Sequence, residues 1–386
     1  MNKFSSMFGQ VLQIFSKTEF YSAVKDTKAE KGAKGFTCWE QFVAMLFCQL
    51  GHAQSLREIC GGLATCLGKL KHLAVDHAPA RSTLAYANEK RPWQLYERVF
   101  GQLLEKCRAV KGKRKFRFKN KLFSLDATVV DLCASLFDWA TFRQTKGAVK
   151  LHLLLDHDGY LPVFAHITEG NVHELTIARR IFLPRGSIVV VDRGYSDHKL
   201  FARWTKTGVY FVTRQKINSS FEIIDERPVP ARRSILSDYL IVLTGMAKEA
   251  YPDPLRRIEV WDEEKKESIV LLTNHMTFGA STIATIYKDR WQIEIFFKTL
   301  KQHLKIKTSV GTSPNALKTQ IWTALIAILI LKYLKFRSSF GWSVSNLVAM
   351  LRYNLFTYRD LWAWIDSPFE IPPIVPTGEQ LSLEFS

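Results

Sequence analysis

The chain has 386 residues, more than the ~250 to 300 at which one hydrophobic core usually stops growing, so we expect two or three structural units. Apolar residues make up 47% and charged residues 23%, which is ordinary globular usage and argues against a disordered chain. The formal net charge of +18 favours an anionic polymer as partner over a small neutral substrate, with nucleic acid ahead of an anionic membrane surface.

The N-terminal segment, 1–107, predicts a small all-α unit. The stretches TCWE (37–40) and SLRE (55–58) fit the capping box at a helix start, and Gly61-Gly62 is expected to end the second helix. A third helix is predicted over 81–93, with basic ends. Three short helices with arginines fit either recognition of a DNA end or simple packing, and the sequence leaves both open. The six cysteines lie between Cys38 and Cys133 without a C-x-x-C pair, which predicts reduced, mostly buried thiols.

Residues 108–121 carry eight basic residues in fourteen and no acid, which predicts a linker able to bind a phosphate backbone or a solvated connector. Short β-rich runs follow, and two stretches between them have helical spacing. This order predicts an α/β fold with a mixed sheet covered by helices. The predicted strands are 122–132, 149–156, 161–168, 187–194 and 209–214, and the predicted helices are 171–182 and 197–208.

The chain beyond these strands divides further. Residues 217–277 hold four more strand-like pieces and predict a β-rich insertion, after which the chain returns to helix from 281 past 305. Residues 311–386 predict C-terminal helices and a loose proline-rich tail. Their most apolar run, 321–331, has eleven residues, short of the ~20 that a bilayer requires, so we expect a buried helix. With no signal peptide expected either, the interpretation is a cytoplasmic protein without a membrane span.

The stretch IYKDRWQIEIFFKTLKQHLK (286–305) has an apolar stripe on a helical wheel, and a polar edge runs beside it. That edge would hold Glu294 in a partly desolvated position beside cations. The alternative is a surface pair of opposite charges four residues apart, which is common and weak. The stripe comprises Ile286, Ile293, Phe297, Leu300 and Leu304, and the edge comprises Tyr287, Arg290, Glu294 and Lys301, with Lys298 nearby.

Two strands add further carboxylates. Asp126 lies inside the apolar strand FSLDATVV, where a charge is costly unless it is compensated. Asp192 ends IVVVD, at the carboxyl end of a strand, where α/β sheets commonly build their sites. Asp126 could instead hydrogen-bond a turn, and Asp192 could cap the helix after RGYSD. If the strands are neighbours, the acids converge with Glu294, and such hard oxygen ligands suit Mg²⁺ or Mn²⁺ in a two-metal site for phosphoryl transfer.

The spacing Y-(2)-R-(3)-E-(6)-K, formed here by Tyr287, Arg290, Glu294 and Lys301, resembles the signature of DDE transposases of the bacterial insertion-sequence family four. LDAT around Asp126 and VDRGY around Asp192 resemble that family's first and second acidic boxes. The resemblance is strong over roughly 120–310, and the first hundred residues resemble the N-terminal domain often attached to these enzymes.

The resemblance implies a ribonuclease H-like catalytic core, formed by 122–216 and 278–310, with Asp126, Asp192 and Glu294 as Mg²⁺ ligands and Mn²⁺ able to substitute. It also implies that Tyr287, Arg290 and Lys301 contact DNA near the transferred end, and we add Lys298 and Arg193 as expected DNA contacts. A homodimer would pair two transposon ends of double-stranded DNA and join the 3′-hydroxyl to target DNA.

Two other functions fit the same residues. A metal-dependent nuclease of this fold would cut DNA without strand transfer, and a domesticated protein would bind DNA with an inactive site. The excision intermediate also stays open, because a hairpin would be supported by a base-stacking aromatic in the insertion. Trp261 is a candidate for that role, with packing as the alternative.

Overall fold

A computed structural model describes residues 5–33, 35–66, 68–110, 115–132, 141–143, 146–216, 219–229, 234–304 and 310–370. Four sequence predictions therefore lie partly or wholly outside the described residues. They concern the thiol of Cys133, residues 111–114 of the basic segment, the continuation of the helix past 304, and the tail from 371.

The N-terminal part is helical, as predicted. The capping box at Thr37 is confirmed: Glu40 donates its backbone amide to the Thr37 hydroxyl and accepts the Thr37 amide on its carboxylate. The second predicted helix does not stop at Gly61-Gly62, because Leu63 is buried and the helix continues to Ala64. The helices are α1 (Met7–Leu12), α2 (Lys17–Thr27), α3 (Cys38–Leu50), α4 (Leu56–Ala64), α5 (Arg81–Lys90) and α6 (Gln94–Val110), with a 3-10 turn at Leu70–Leu73.

The strands of the described chain form one mixed sheet in the order β2-β3-β1-β5-β6-β10-β9-β8-β7, with β4 paired to β3. The five predicted strands are all present, although the fourth, predicted over 187–194, is shorter than expected. The strands are β1 (Leu122–Leu132), β2 (Thr141–Arg143), β3 (Lys146–Asp156), β4 (Leu161–Glu169), β5 (Ile188–Val190), β6 (Tyr210–Arg214), β7 (Phe221–Glu226), β8 (Ile235–Leu243), β9 (Leu255–Asp262) and β10 (Glu267–Thr273).

The strands of the predicted insertion continue the central sheet. Strand β10 pairs antiparallel with β6, and β9, β8 and β7 follow outward to the edge. Trp261, the candidate stacking residue, is half-buried on β9 opposite Ser268. The residues 217–277 therefore extend the same layer that carries β1, β5 and β6.

Helices cover both faces of the sheet. On one face, Phe123 and Leu125 of β1 share a core with α7 (Glu174–Ala178), α8 (His198–Lys206) and α9 (Met246–Ala250). On the other face, Leu122 and Ile188 pack against α10 (Ala280–Asp289), and three of the four β3 leucines share a core with α11 (Trp291–His303) and α12 (Pro314–Arg337). Because alternate residues of a strand point to opposite faces, Ser124 and Asp126 face the side of α10 to α12.

The stretch 286–305 is not one continuous helix as predicted. The chain breaks at Arg290, which separates α10 from α11, although the Arg290 dihedral angles stay helical. The five stripe residues are all buried, but Ile286 belongs to the α10 core and the other four to the α11 core. The break lets the two halves dock on separate parts of the sheet.

The C-terminal helices complete the core, with α13 (Val344–Asn354) and α14 (Leu361–Asp366) after α12. Helix α12 is long and apolar enough to cross a membrane, but 89% of its most apolar window is buried inside the protein. It packs against α3, α5 and α6, so the N-terminal and C-terminal helices share one core. Its hydrophobicity is accounted for by this burial, as predicted for 321–331.

Candidate active site at the carboxyl ends of the central strands

Asp126 and Asp192 lie next to each other at the point where the pairing of two central strands, β1 and β5, ends. Strands β1 and β5 are parallel neighbours, and the last paired residues are Ser124 and Val190. Asp126 and Asp192 each lie two residues beyond that pair. Asp126 is still within β1, whereas Asp192 follows the end of β5, and the parallel register of the two strands brings these carboxylates together.

The Asp126 carboxylate is largely buried, with 20% of its side chain exposed. It accepts a hydrogen bond from the Ala127 amide at 2.8 Å, and its other oxygen is 3.6 Å from the Arg290 guanidinium. Burial raises the pKa of Asp126 to about 7; the Ala127 amide and Arg290 oppose the shift, and the charges of Asp192 and Glu294 add to it. A further cation, in addition to Arg290, is therefore needed to keep this carboxylate fully ionised at neutral pH.

Asp192 is held at the start of a 3-10 turn, Arg193–Tyr195. One carboxylate oxygen accepts the Gly194 amide at 2.9 Å, and the Thr213 hydroxyl donates to the Asp192 carbonyl. The helix that follows, α8, is capped by Asp197 instead. Asp192 therefore caps the 3-10 turn and not α8.

Glu294 lies in the first turn of α11 and pairs with Arg290. The Arg290 guanidinium donates to the Glu294 carboxylate at 2.6 Å and also faces Asp126. The predicted pair at positions i and i+4 is thus present, but it is no surface pair, because 14% of the Arg290 side chain is exposed. Arg290 instead bridges an acid of the sheet and an acid of the helix.

Tyr287 lies beside Arg290, with the guanidinium 5.9 Å from the centre of its ring. Burial raises the pKa of Tyr287, whereas the charges of Arg290 and Arg214 lower it. Arg214 was missed by the sequence reasoning. It ends β6, which is parallel to β5, so the signal was the same as for Asp192: a polar residue that closes an apolar strand.

The other predicted DNA contacts are neighbours of Asp192 and Glu294 along the chain. Arg193 is exposed beside Asp192, and Lys298 is exposed one turn after Glu294. Lys301 is half-buried on α11. A second residue missed from the sequence is Tyr195, whose buried hydroxyl has no hydrogen-bond partner in the part of the chain that the structure describes. Burial raises the pKa of Tyr195, and the charges of Asp126, Glu174 and Asp192 act in the same direction.

The donor set suits a hard divalent cation, since it consists of carboxylate oxygens near a buried aspartate whose ionised form needs compensation. Within the described ranges, no three His, Cys, Asp or Glu side chains stand close enough to form a ready-made metal site. Arg290 is in contact with both Asp126 and Glu294. The residues fit a divalent ion by their chemistry, and Arg290 pairs with two of the three acids in this geometry.

Comparison with known proteins decides the family. Residues 117–330, more than half of the chain, match the family described as "Transposase DDE domain". The chain belongs to this transposase family. Residues 3–75 match a second family, described as a domain of unknown function.

Curated relatives agree with this assignment. A putative transposase, y4zB, of Sinorhizobium fredii is 29% identical over 83% of this chain and 89% of its own length. A probable transposase for insertion sequence element IS5377 of Geobacillus stearothermophilus is 24% identical over 86% of both chains. A putative transposase for insertion sequence element IS4SA of Synechocystis is 28% identical over 70% of this chain and 76% of its own length.

A solved piggyBac transposase synaptic complex with hairpin DNA covers 97% of this chain and 87% of its own chain at 11% identity and a TM-score of 0.47. The family assignment rests on the sequence matches. They confirm the resemblance to DDE transposases of insertion sequences, and with it a DNA transposase with a ribonuclease H-like core.

Proposed function

We propose that this transposase cuts DNA at the ends of its insertion sequence and joins the freed 3′-hydroxyl to target DNA, with Asp126, Asp192 and Glu294 as ligands of Mg²⁺. Mn²⁺ is expected to substitute. One observation carries the proposal: Asp126 and Asp192 lie together where two parallel strands pair, and one arginine links Asp126 to Glu294 on the helix docked beside β1.

The three acids and Arg290 have separate roles in this proposal. Asp126 and Asp192 hold their positions through the β1–β5 pairing, and Glu294 is added by the docking of α11. A bound divalent ion would activate the attacking oxygen and stabilise the leaving one. Arg290 pairs with Asp126 and Glu294 before the ion and DNA arrive, and its guanidinium is then available for a phosphate.

We place the transferred DNA end over the edge that carries Tyr287, Arg290, Lys298 and Lys301, with Arg193 on the other side of Asp192. A cleft of about 440 Å³ lies beside Ser196 and Asp197, in the turn after Asp192. The cleft and the exposed cations suit a phosphate backbone. The arginine and lysine residues that line the cleft are Arg179, Lys199 and Lys216.

We propose that the helices of residues 1–107 bind the terminal repeats. A second cleft, of about 220 Å³, lies there between the loop after α2 and the end of α5. Lys28, Lys31 and Lys90 line it beside Tyr86, whose side chain is 67% exposed. Cations beside an exposed aromatic ring suit nucleic acid.

The proposed organisation keeps 108–121 as a basic linker, 122–216 with 278–310 as the catalytic core, 217–277 as a β-rich insertion and 311–386 as C-terminal helices and tail. Two of the linker lysines are engaged internally, since Lys115 pairs with Asp289 and Lys121 with Asp158. We further propose a cytoplasmic homodimer that pairs two transposon ends.

The test is an assay with Mg²⁺ and a plasmid that carries the terminal sequences of the element, in which end cleavage and target joining are followed separately. Asp192→Asn and Glu294→Gln are expected to bind the ends but to lose both reactions. Glu222→Gln, an exposed carboxylate on the outermost strand β7, serves as the matched control and should keep both.

Cleavage without joining would favour a nuclease over a transposase that completes strand transfer. Binding without metal-dependent cleavage would show that the site is inactive. Full activity of Asp192→Asn or Glu294→Gln would refute the assignment of these acids.

A further inference from the structure

A chain of buried hydrogen bonds lies directly behind the acidic edge. Ser124 Oγ is 2.7 Å from His157 Nε2, and His157 Nδ1 is 2.7 Å from Asp289 Oδ2. The exposed fractions of these three residues are 0%, 4% and 3%. Because none of them reaches solvent or DNA, this Ser-His-Asp array has no access to a substrate and does not act as a nucleophile.

The chain joins three separate elements. Ser124 lies on β1, two residues before Asp126 and on the same face, and His157 follows β3 with its backbone amide bonded to the Leu122 carbonyl at 2.9 Å. Asp289 is the last residue of α10, immediately before the break at Arg290. The array therefore ties the break between two helices to the strand that carries Asp126.

Asp289 is charged and fully engaged. Burial acts to raise its pKa, but hydrogen bonds from His157 and Lys115 hold the pKa of Asp289 below its ordinary value. Lys115 Nζ is 2.5 Å from one carboxylate oxygen, and the Tyr160 hydroxyl is 3.2 Å from the other. Since a carboxylate only accepts, His157 Nδ1 donates to it, which fixes the orientation of the ring.

We propose that Ser124, His157 and Asp289 are positioning residues that set the angle of the α10–α11 break, so that Arg290 and Glu294 face Asp126. Arg290 follows Asp289 directly, and Glu294 lies one turn further along. A shift of about 1 Å at this break would misplace both side chains, an error that costs enzymes up to roughly 100-fold in rate. The catalytic part of this inference rests on the function proposed above.

The first test is independent of activity. In Asp289→Asn, amide hydrogen exchange across residues 285–296 should become about tenfold faster, while β1 stays protected. Asp158→Asn is the matched control, because Asp158 adjoins His157 and pairs with Lys121 of the same basic segment. Unchanged exchange across the break in Asp289→Asn would overturn the proposal.

The second test separates positioning from folding. In Asp289→Asn and Ser124→Ala, the cleavage rate at saturating DNA ends should fall about 10- to 100-fold, while KM for the ends changes by less than about threefold. If Asp289→Asn does not fold, Ser124→Ala decides, because it removes one hydroxyl only. Unaltered cleavage, or activity lost only in proportion to unfolded protein, would overturn the inference. If the unaltered chain cuts no DNA, the proposed function fails, and the exchange result alone decides whether the array holds the break.

Discussion

The buried pair of Asp238 and Arg256 gives a sharp prediction about what holds α10 in place. Both side chains are 2% exposed, and the guanidinium donates to the two carboxylate oxygens at 2.8 and 2.5 Å. The same guanidinium also donates to the backbone carbonyls of His275 and Phe278, just before α10 begins. The pair thus fixes the start of the helix that leads to Tyr287 and Arg290.

Asp238→Asn keeps the shape but leaves a buried, uncompensated guanidinium. Breaking a buried ion pair from one side typically costs about 3–5 kcal/mol, and we expect a value near the lower end because the amide oxygen still accepts one bond. The control, Glu263→Gln, breaks an ion pair whose two side chains are 71% and 72% exposed, and it should cost below about 1 kcal/mol. Urea unfolding measures both losses. Equal losses for the two variants would refute the reasoning from burial.

Three further predictions concern other parts of the molecule. Lys298→Ala should weaken binding to all DNA sequences alike and reduce the slope of log affinity against log salt by about 1, as measured by anisotropy titrations; an unchanged slope would mean that this lysine touches no phosphate. Burial and the charge of Lys150 lower the pKa of His152 to about 4, so stability should be lost as the pH falls from 6.5 to 4, by up to about 3 kcal/mol, because only the unfolded chain takes up the proton there. His152→Gln should flatten the pH dependence of unfolding in that window, and an unchanged profile would contradict this. Thr37→Ala removes the cap of α3 and should cost about 1 kcal/mol in urea unfolding, whereas no loss would show that the capping box is dispensable.

Much of the fold could be predicted because local signals and tertiary packing agree. The apolar runs that predicted β1, β3 and β6 form strands, and the box at Thr37 starts α3. The carboxylate of Asp192 was found from its place after an apolar run, and the parallel pairing of β1 and β5 explains why Asp126 lies beside it. These features depend on residues that are close in sequence or on a general rule of parallel sheets.

The break at Arg290 could not be predicted in this way. No Gly or Pro marks it, and a helical wheel treats 286–305 as uninterrupted. It is held by contacts of Asp289 with Lys115 and His157, which belong to distant, earlier parts of the chain. Only the folded structure brings those groups together. The role of Ser124 could not be predicted for the same reason, because its hydrogen-bond partner, His157, is distant in the sequence.

The account depends most directly on the claim that Asp126, Asp192 and Glu294 together hold a divalent ion beside the DNA end. We would measure binding of Mn²⁺ by electron paramagnetic resonance in the presence of the DNA end, for the unaltered protein and for Asp126→Asn, Asp192→Asn and Glu294→Gln, with Glu222→Gln as control. The account predicts that each of the three acid variants weakens Mn²⁺ binding at least about tenfold and that the control does not. If the three acid variants bind Mn²⁺ as tightly as the unaltered protein does, the account is contradicted.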